Sequence, residues 1–181
     1  MISPDPFLED DFRVLTPEAF DVVLTNELKR AVRSQSYLTL LLVEPTLRDA
    51  PPGAADGTAA TEPEAEREAA VRQIARLVSR EVRETDLLSQ TEQAQLSVVL
   101  LDADLQNSLR VVDRFMARLE HYQFARPLAI GVGAASCPTH GADADTLRRS
   151  AKARTVHHQR DVDSTPRPDS RPGWDKSSNA Q

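Results

Sequence analysis

Tyr37 to Glu44 reads YLTLLLVE, and no other stretch limits the possible folds so tightly. Its apolar run, Leu38 to Val43, is only about six residues long and is broken once, by Thr39. A membrane-crossing helix needs about 20, and an amphipathic helix would be interrupted by polar residues at every turn. A short continuous apolar run instead suits a strand whose sheet is covered on both faces. The rest of the chain must then supply the covering elements.

It does so on either side of the run. Thr16-Pro17 reads as an N-cap followed by proline at the first helical position. Phe20, Leu24, Leu28, Ala31 and Val32 then mark one face of a helix to about Arg33. Glu64 to Arg83 is helical, with Val71, Ile74, Leu77, Val78 and Val82 inward. Asp86 to Ser89 and Gln95 to Leu101 are strand-like and joined by polar residues, which predicts a hairpin. Asp104 to His121 is helical, with Leu105, Leu109, Val112, Phe115, Met116 and Leu119 facing in. Pro127 to Ala135 (PLAIGVGAA) reads as a strand and Asp143 to about His157 as a last helix. The order α-β-α-β-β-α-β-α contains a split βαββαβ core, so the fold class is α+β and ferredoxin-like. Its sheet is expected to be antiparallel and covered by helices.

Two further stretches lack such patterning. Residues 48–63 are rich in Pro, Gly, Ala and Thr, which predicts a mobile loop. From residue 159 onward the chain is polar and proline-rich with one isolated aromatic, Trp174, and reads as a disordered tail. The expected organisation is an acidic arm over residues 1–12, one domain over 13–158 and a tail over 159–181. The 181 residues suffice for one domain with appendages.

The formal net charge of -6 is unevenly distributed. Residues 1–12 and residues 48–68 each contribute -4, and the tail is balanced. The fold-forming remainder is therefore +2, and 14 of its 16 bases are arginine. A single cysteine, Cys137, excludes an internal disulfide and a thiolate zinc site. With an aromatic content of 4% there is no base-stacking platform, which argues against nucleic acid as a partner. No segment is suited to crossing a membrane. The acidic N-terminus lacks the pattern of a secretion signal, so a soluble, cytoplasmic protein is expected.

From Phe20 to about Ala153 the chain resembles a GGDEF domain, the diguanylate cyclase family of bacterial signalling. The likeness is carried by NELKRAVRSQSYLTLLLVE, by VRETDLLSQTEQAQLSVVLLDAD and by LAIGVGAASCPTHGADADTLRRSA. It implies a nucleotidyl-cyclase-like arrangement of the ferredoxin-like core. In register, Glu92, Gln93, Ala94, Gln95 and Leu96 occupy the signature positions. The family's two glycines, which let backbone approach phosphate, are here Glu92 and Gln93. Its third residue, a Mg²⁺ ligand, is Ala94. Glu44 falls where the first strand's metal-binding aspartate stands, yet the family's DxDHFKxxND region is replaced by Pro45-Thr46-Leu47-Arg48-Asp49 and the loop. The lysine of the family's last helix corresponds to His158. Phosphoryl transfer through metal ions needs several oxygen ligands, so the expectation is no catalysis, no catalytic residue and no cofactor.

Arg83-Glu84-Thr85-Asp86 retains an RxxD, spaced from Glu92 like the family's inhibitory site for cyclic di-GMP. Arginine can fork onto phosphate or a guanine edge, and a carboxylate can accept from guanine N–H groups. Arg72, Arg76, Arg80 and Arg83 line one helix face, and Arg110, Arg114 and Arg118 another. Arg110 and Arg114 are thus candidates to join Arg83 and Asp86 around a cyclic dinucleotide. The plainer reading is two solvated faces with local pairs such as Glu68–Arg72, and an Asp86 that merely starts a strand. The expected role is an inactive GGDEF-like signalling module that binds cyclic di-GMP, a second copy or another signalling protein. The alternative is a diverged cyclase or nucleotide-processing enzyme using Glu44 with Glu92, in which case Mg²⁺ would be required. His140 near Cys137 and the pair His157–His158 are weak candidates. Gly131 and Gly133 suit close packing better than phosphate binding, and Tyr37 and Tyr122 fit the edge of the core.

Overall fold

Alternation along the central strand organises both layers. The computed structural model describes residues 7–8, 11–47, 62–91 and 93–158. Most of the expected acidic arm, loop residues 48–61, Glu92 and the expected tail lie outside the described residues. Strand β3 (Leu38–Leu47) sends Leu38, Leu40 and Leu42 to one face and Leu41 and Val43 to the other. Successive residues of a strand point to opposite faces, so the apolar run is explained by cover on both.

On the first face lies helix α1 (Pro17–Ser34), with Phe20, Leu24, Leu28 and Ala31 buried. Beside it is α4 (Ala144–Ala153), contributing Leu147 and Ala151. On the second face α2 (Glu62–Val78) supplies Val71, Ile74 and Val78, and α3 (Leu105–Glu120) supplies Val112, Phe115, Met116 and Leu119. The Thr16 hydroxyl accepts from Ala19 N–H at the start of α1, and the Asp104 carboxylate accepts from Asn107 N–H at the start of α3. Each satisfies a donor that the first helical turn leaves unpaired. Val32 departs from the expected inward face and is 50% exposed. It lies about 100° around the helix from Ala31, which takes it off the buried stripe.

The sheet also holds β4 (Leu87–Gln90), β5 (Leu96–Leu101) and β6 (Leu128–Cys137). Three short strands complete it: β1 (Phe7–Leu8), β2 (Asp11–Leu15) and β7 (Thr155–His158). The order across the sheet is β1-β2-β4-β5-β3-β6-β7. From β4 to β7 every neighbouring pair is antiparallel, as the split βαββαβ pattern predicts. One junction departs from an all-antiparallel sheet: β2 runs parallel to β4, with Val14 opposite Leu88. Arg13 holds that junction by donating to the carbonyls of Ser79 and Arg83.

The last helix is shorter than periodicity predicts. It ends at Ala153, and Thr155–His158 pair with β6. Gly133 of β6 makes the closure possible, because a Cβ there would lie 2.1 Å from the Ala151 carbonyl oxygen. The crossing is fixed by Ala134 N–H donating to Arg154 C=O at 3.1 Å.

Candidate functional site

The helix expected to reach Arg83 ends at Val78, so Arg80 and Arg83 lie beyond the α2 stripe and the RxxD sits in the turns that follow. Arg83 is exposed, whereas Asp86 is buried with 8% of its surface accessible. One Asp86 carboxylate oxygen accepts from Arg83 N–H at 2.8 Å and the other from Leu101 N–H at 3.1 Å. The carboxylate thus closes its own turn and ties it to β5. Arg13 completes the bracing by donating to the Arg83 carbonyl at 2.7 Å. Arg83 and Asp86 share this turn, but they face different surroundings.

Two arginines of the α3 stripe meet at Glu81, a residue between α2 and the RxxD turn that sequence reasoning did not single out. The Glu81 side chain is only 6% exposed, and its carboxylate takes Arg114 Nε at 2.9 Å and Arg118 Nε on its other oxygen. Arg114 also donates to the Glu81 backbone carbonyl. Arg114 therefore ties α3 to the turn that follows α2. Arg110, one turn earlier, is exposed. The expected Glu68–Arg72 pair is present at 3.9 Å with both side chains about half exposed, a geometry that adds little stability.

The degenerate hairpin is a tight turn. Thr91 N–H donates to Gln95 C=O at 2.8 Å, and Ala94 N–H to Thr91 C=O at 3.2 Å. Ala94 has φ 51° and is 3% exposed, so its methyl group packs inward from a left-handed backbone. Gln93 is exposed and Gln95 half-buried.

This hairpin borders two adjoining clefts. One, about 440 Å³, lies between the hairpin, β3, β6 and α4, and holds Glu44, Gln93, Gln95 and Lys152. The other, about 280 Å³, extends toward α1 and adds Ser89, Thr91, Ser97 and the ion-paired Asp21 and Arg148. Glu44 is exposed and opposite Gly131, and among the described residues it is the single acid lining the first cleft. Among the described residues no three His, Cys, Asp or Glu side chains gather as a metal site. Mg²⁺ is commonly held by one or two carboxylates together with substrate phosphates and water, and Glu44 is the one carboxylate that the described residues bring to the first cleft. The Ser89 hydroxyl is buried without a hydrogen-bond partner among the described residues.

Lys152 is the cation that sequence register missed. The family pattern points to His158, but α4 ends early and brings Lys152 to both clefts. The shortened helix gave no sign of itself in hydrophobic periodicity.

The remaining candidates have structural partners. Cys137 is fully buried, and burial pushes its thiol above the usual range, which keeps it protonated. His140 Nδ1 accepts from Ser136 N–H at 3.0 Å, and its carbonyl accepts from the Ser150 hydroxyl at 2.8 Å. His157 and His158 belong to β7, and Gly131 and Gly133 to β6. Tyr122 is half-buried and donates to Gln73 Oε1 at 3.1 Å, while Tyr37 is 50% exposed.

No family model and no curated protein matches this chain. Solved structures do. A diguanylate cyclase protein from Thermotoga maritima superposes with TM-score 0.62 at 14% identity, covering 80% of this chain and 97% of that one. The diguanylate cyclase SiaD of Pseudomonas aeruginosa, solved with its activator SiaC, gives 0.62 at 16% identity over 83% of this chain and 57% of that one. The coiled coil and GGDEF domain of DgcB from Caulobacter crescentus, solved with c-di-GMP, gives 0.58 at 12% identity over 77% and 73%. At such identities the likeness establishes the fold, which is that of GGDEF diguanylate cyclase domains.

Proposed function

We propose that this chain is a non-catalytic signalling module of the GGDEF fold, acting by binding rather than by phosphoryl transfer. The observation that carries the proposal is the makeup of the cleft beside the hairpin. Among the described residues it offers one carboxylate, Glu44, with Lys152 and the neutral amides of Gln93 and Gln95. Two-metal transfer requires carboxylates that gather cations around a triphosphate and neutralise the developing charge. Ala94 contributes a buried methyl group where the family resemblance calls for that carboxylate. Incubation with GTP and Mg²⁺ or Mn²⁺ is expected to give no cyclic di-GMP. Product that is abolished by Glu44→Ala would overturn this reading in favour of a diverged enzyme.

The ligand reading is reception of cyclic di-GMP, the molecule with which the DgcB domain was solved. Here it rests on Arg83, an exposed guanidinium on a turn braced by Arg13 and Asp86. Arg110 is the second exposed candidate, while Arg114 and Asp86 already serve the protein itself. Calorimetric titration with cyclic di-GMP is expected to give binding on the order of tens of micromolar that Arg83→Ala removes. Absence of heat leaves a protein partner or a second copy as the bound species, and binding unchanged by that substitution removes the Arg83 site. SiaD, solved with its activator SiaC, is a neighbour with such a protein partner.

A further inference from the structure

Beside the RxxD turn two guanidiniums share a single carboxylate. Glu81 takes Arg114 Nε at 2.9 Å on one oxygen and Arg118 Nε on the other. Its side chain is 6% exposed, whereas those of Arg114 and Arg118 are 57% and 58% exposed. The carboxylate is thus covered by guanidiniums whose outer edges meet solvent. The partners do not balance, since two cations face one anion. Arg114 spends Nε and one Nη on the Glu81 side chain and carbonyl. Arg118 spends Nε alone, so its Nη groups have no protein acceptor among the described residues. Such an edge can take two oxygens of a phosphate group. Exposed Arg80, Arg83 and Arg110 stand nearby in sequence, against the exposed acids Glu84 and Asp113.

We propose that Arg114 and Arg118 form a phosphate site in which Glu81 is the resident anion, and that a ligand phosphate binds by taking the two guanidiniums over from it. This rests on the reading that an anionic ligand binds at the RxxD turn. It adds Arg118 to the contacts and makes Glu81 the group that sets their availability. The backbone places the carboxylate firmly, because Arg13 donates to the carbonyls of Ser79 and Arg83 on either side of it. Glu81 is therefore the fixed partner, and the half-exposed arginine side chains are the ones that move.

The exchange has a cost that falls on the ligand. A buried carboxylate that loses its cations is strongly unfavourable, and that penalty is subtracted from whatever the incoming anion gains. A lone carboxylate gains nothing by replacing its like. A group carrying more charge and more oxygens does, because it reaches the outer Nη edges that Glu81 leaves unused. The site therefore selects phosphate-bearing ligands with at least two negative charges, and Glu81 holds their affinity down. Neutralising Glu81 removes the competitor and the penalty together, so binding should be gained. A carboxylate that served the fold alone would give no such gain.

Calorimetric titration of the full chain with inorganic pyrophosphate, in magnesium-free buffer of low salt, reads the site without a nucleobase. Glu81→Gln keeps the shape of the side chain and removes its charge. It is expected to tighten pyrophosphate binding at least about tenfold, and Arg118→Ala added to it is expected to abolish that gain. Glu84→Gln makes the same change of net charge at an exposed neighbour and is expected to alter affinity less than about twofold. Equal affinity in the parent and Glu81→Gln, weaker affinity in Glu81→Gln, or an equal gain from Glu84→Gln each overturns the proposal. If Glu81→Gln loses native far-UV circular dichroism, Arg118→Ala in the parent decides. It is expected to weaken pyrophosphate binding at least about threefold, and unchanged binding overturns the proposal. Cyclic di-GMP titrated in parallel separates this inference from the reading beneath it. The pyrophosphate effects without cyclic di-GMP binding support the phosphate site and remove that dinucleotide as its ligand. Cyclic di-GMP binding that responds to Arg83→Ala but not to Glu81→Gln keeps the ligand and overturns the role of Glu81.

Discussion

Asp86 shows how a ligand-like pair of residues can be a structural device. Its two oxygens accept from Arg83 and Leu101 N–H groups at 2.8 and 3.1 Å, inside a site that leaves 8% of the residue exposed. Removing the carboxylate orphans both donors, so Asp86→Ala is expected to lower unfolding free energy by about 3 kcal/mol. Urea denaturation with and without cyclic di-GMP checks this, and a midpoint equal to that of the parent would contradict the structural role. Asp143 offers a second test at this scale. It caps α4, and hydrogen bonds from the Thr146 backbone and side chain hold its carboxyl below the usual carboxylate range. A folded-state value below the unfolded one stabilises the fold at pH above the unfolded value. That contribution is lost as pH falls through the lowered folded one. Asp143→Asn keeps a capping oxygen without the titration, so its stability should depend less steeply on pH across that acidic window. Parallel acid limbs in the two proteins would contradict the assignment.

Among the elements, the closest fit is that of α4 onto β6. A methyl group at Gly133 would meet the Ala151 carbonyl at 2.1 Å, and backbone on both sides leaves little room to yield. Gly133→Ala is therefore expected to cost about 2–3 kcal/mol and to loosen β7, read as faster amide exchange at Val132 and Thr155. An unchanged exchange pattern would mean that α4 can shift freely. The four helices and four of the strands were legible because each has a complete pattern: a 3.6-residue stripe for α2 and α3, a nearly continuous apolar run for β3. The edge strands β1, β2 and β7 were not. β2 offers only Arg13-Val14-Leu15 beside an acidic stretch, and its parallel partner β4 is remote in sequence. Thr155 and Val156 continue a helical pattern, and only the sheet edge left open by β6 makes them a strand. The candidate site was legible to the same degree. Register located the hairpin and the RxxD turn, while Lys152 and Glu81 emerge only from tertiary neighbours.

For the whole molecule, the N-terminal ribbon ties the sheet to the helix layer. β2 covers the edge of β4, Val14 and Leu15 are 3% and 9% exposed, and Arg13 caps the carbonyls where α2 runs into the RxxD turn. An acidic stretch that composition alone separates from the fold thus ends in a strand that braces its most ligand-like feature. The burial of two such side chains and the two hydrogen bonds from a charged donor together weigh about 6 kcal/mol. Deleting residues 1–15 is expected to lower stability by that amount. It also bares the β4 edge, an unpaired ladder that promotes association between chains. Chemical denaturation reads the first effect and static light scattering the second. Arg13→Ala separates them, since it removes the capping donor while β2 remains to shield the edge. It should lower the midpoint without raising the scattering. If both variants keep the parental midpoint, the ribbon is an ornament of the sheet. If Arg13→Ala weakens cyclic di-GMP binding as well, the ribbon sets the geometry from which Arg83 reaches its ligand.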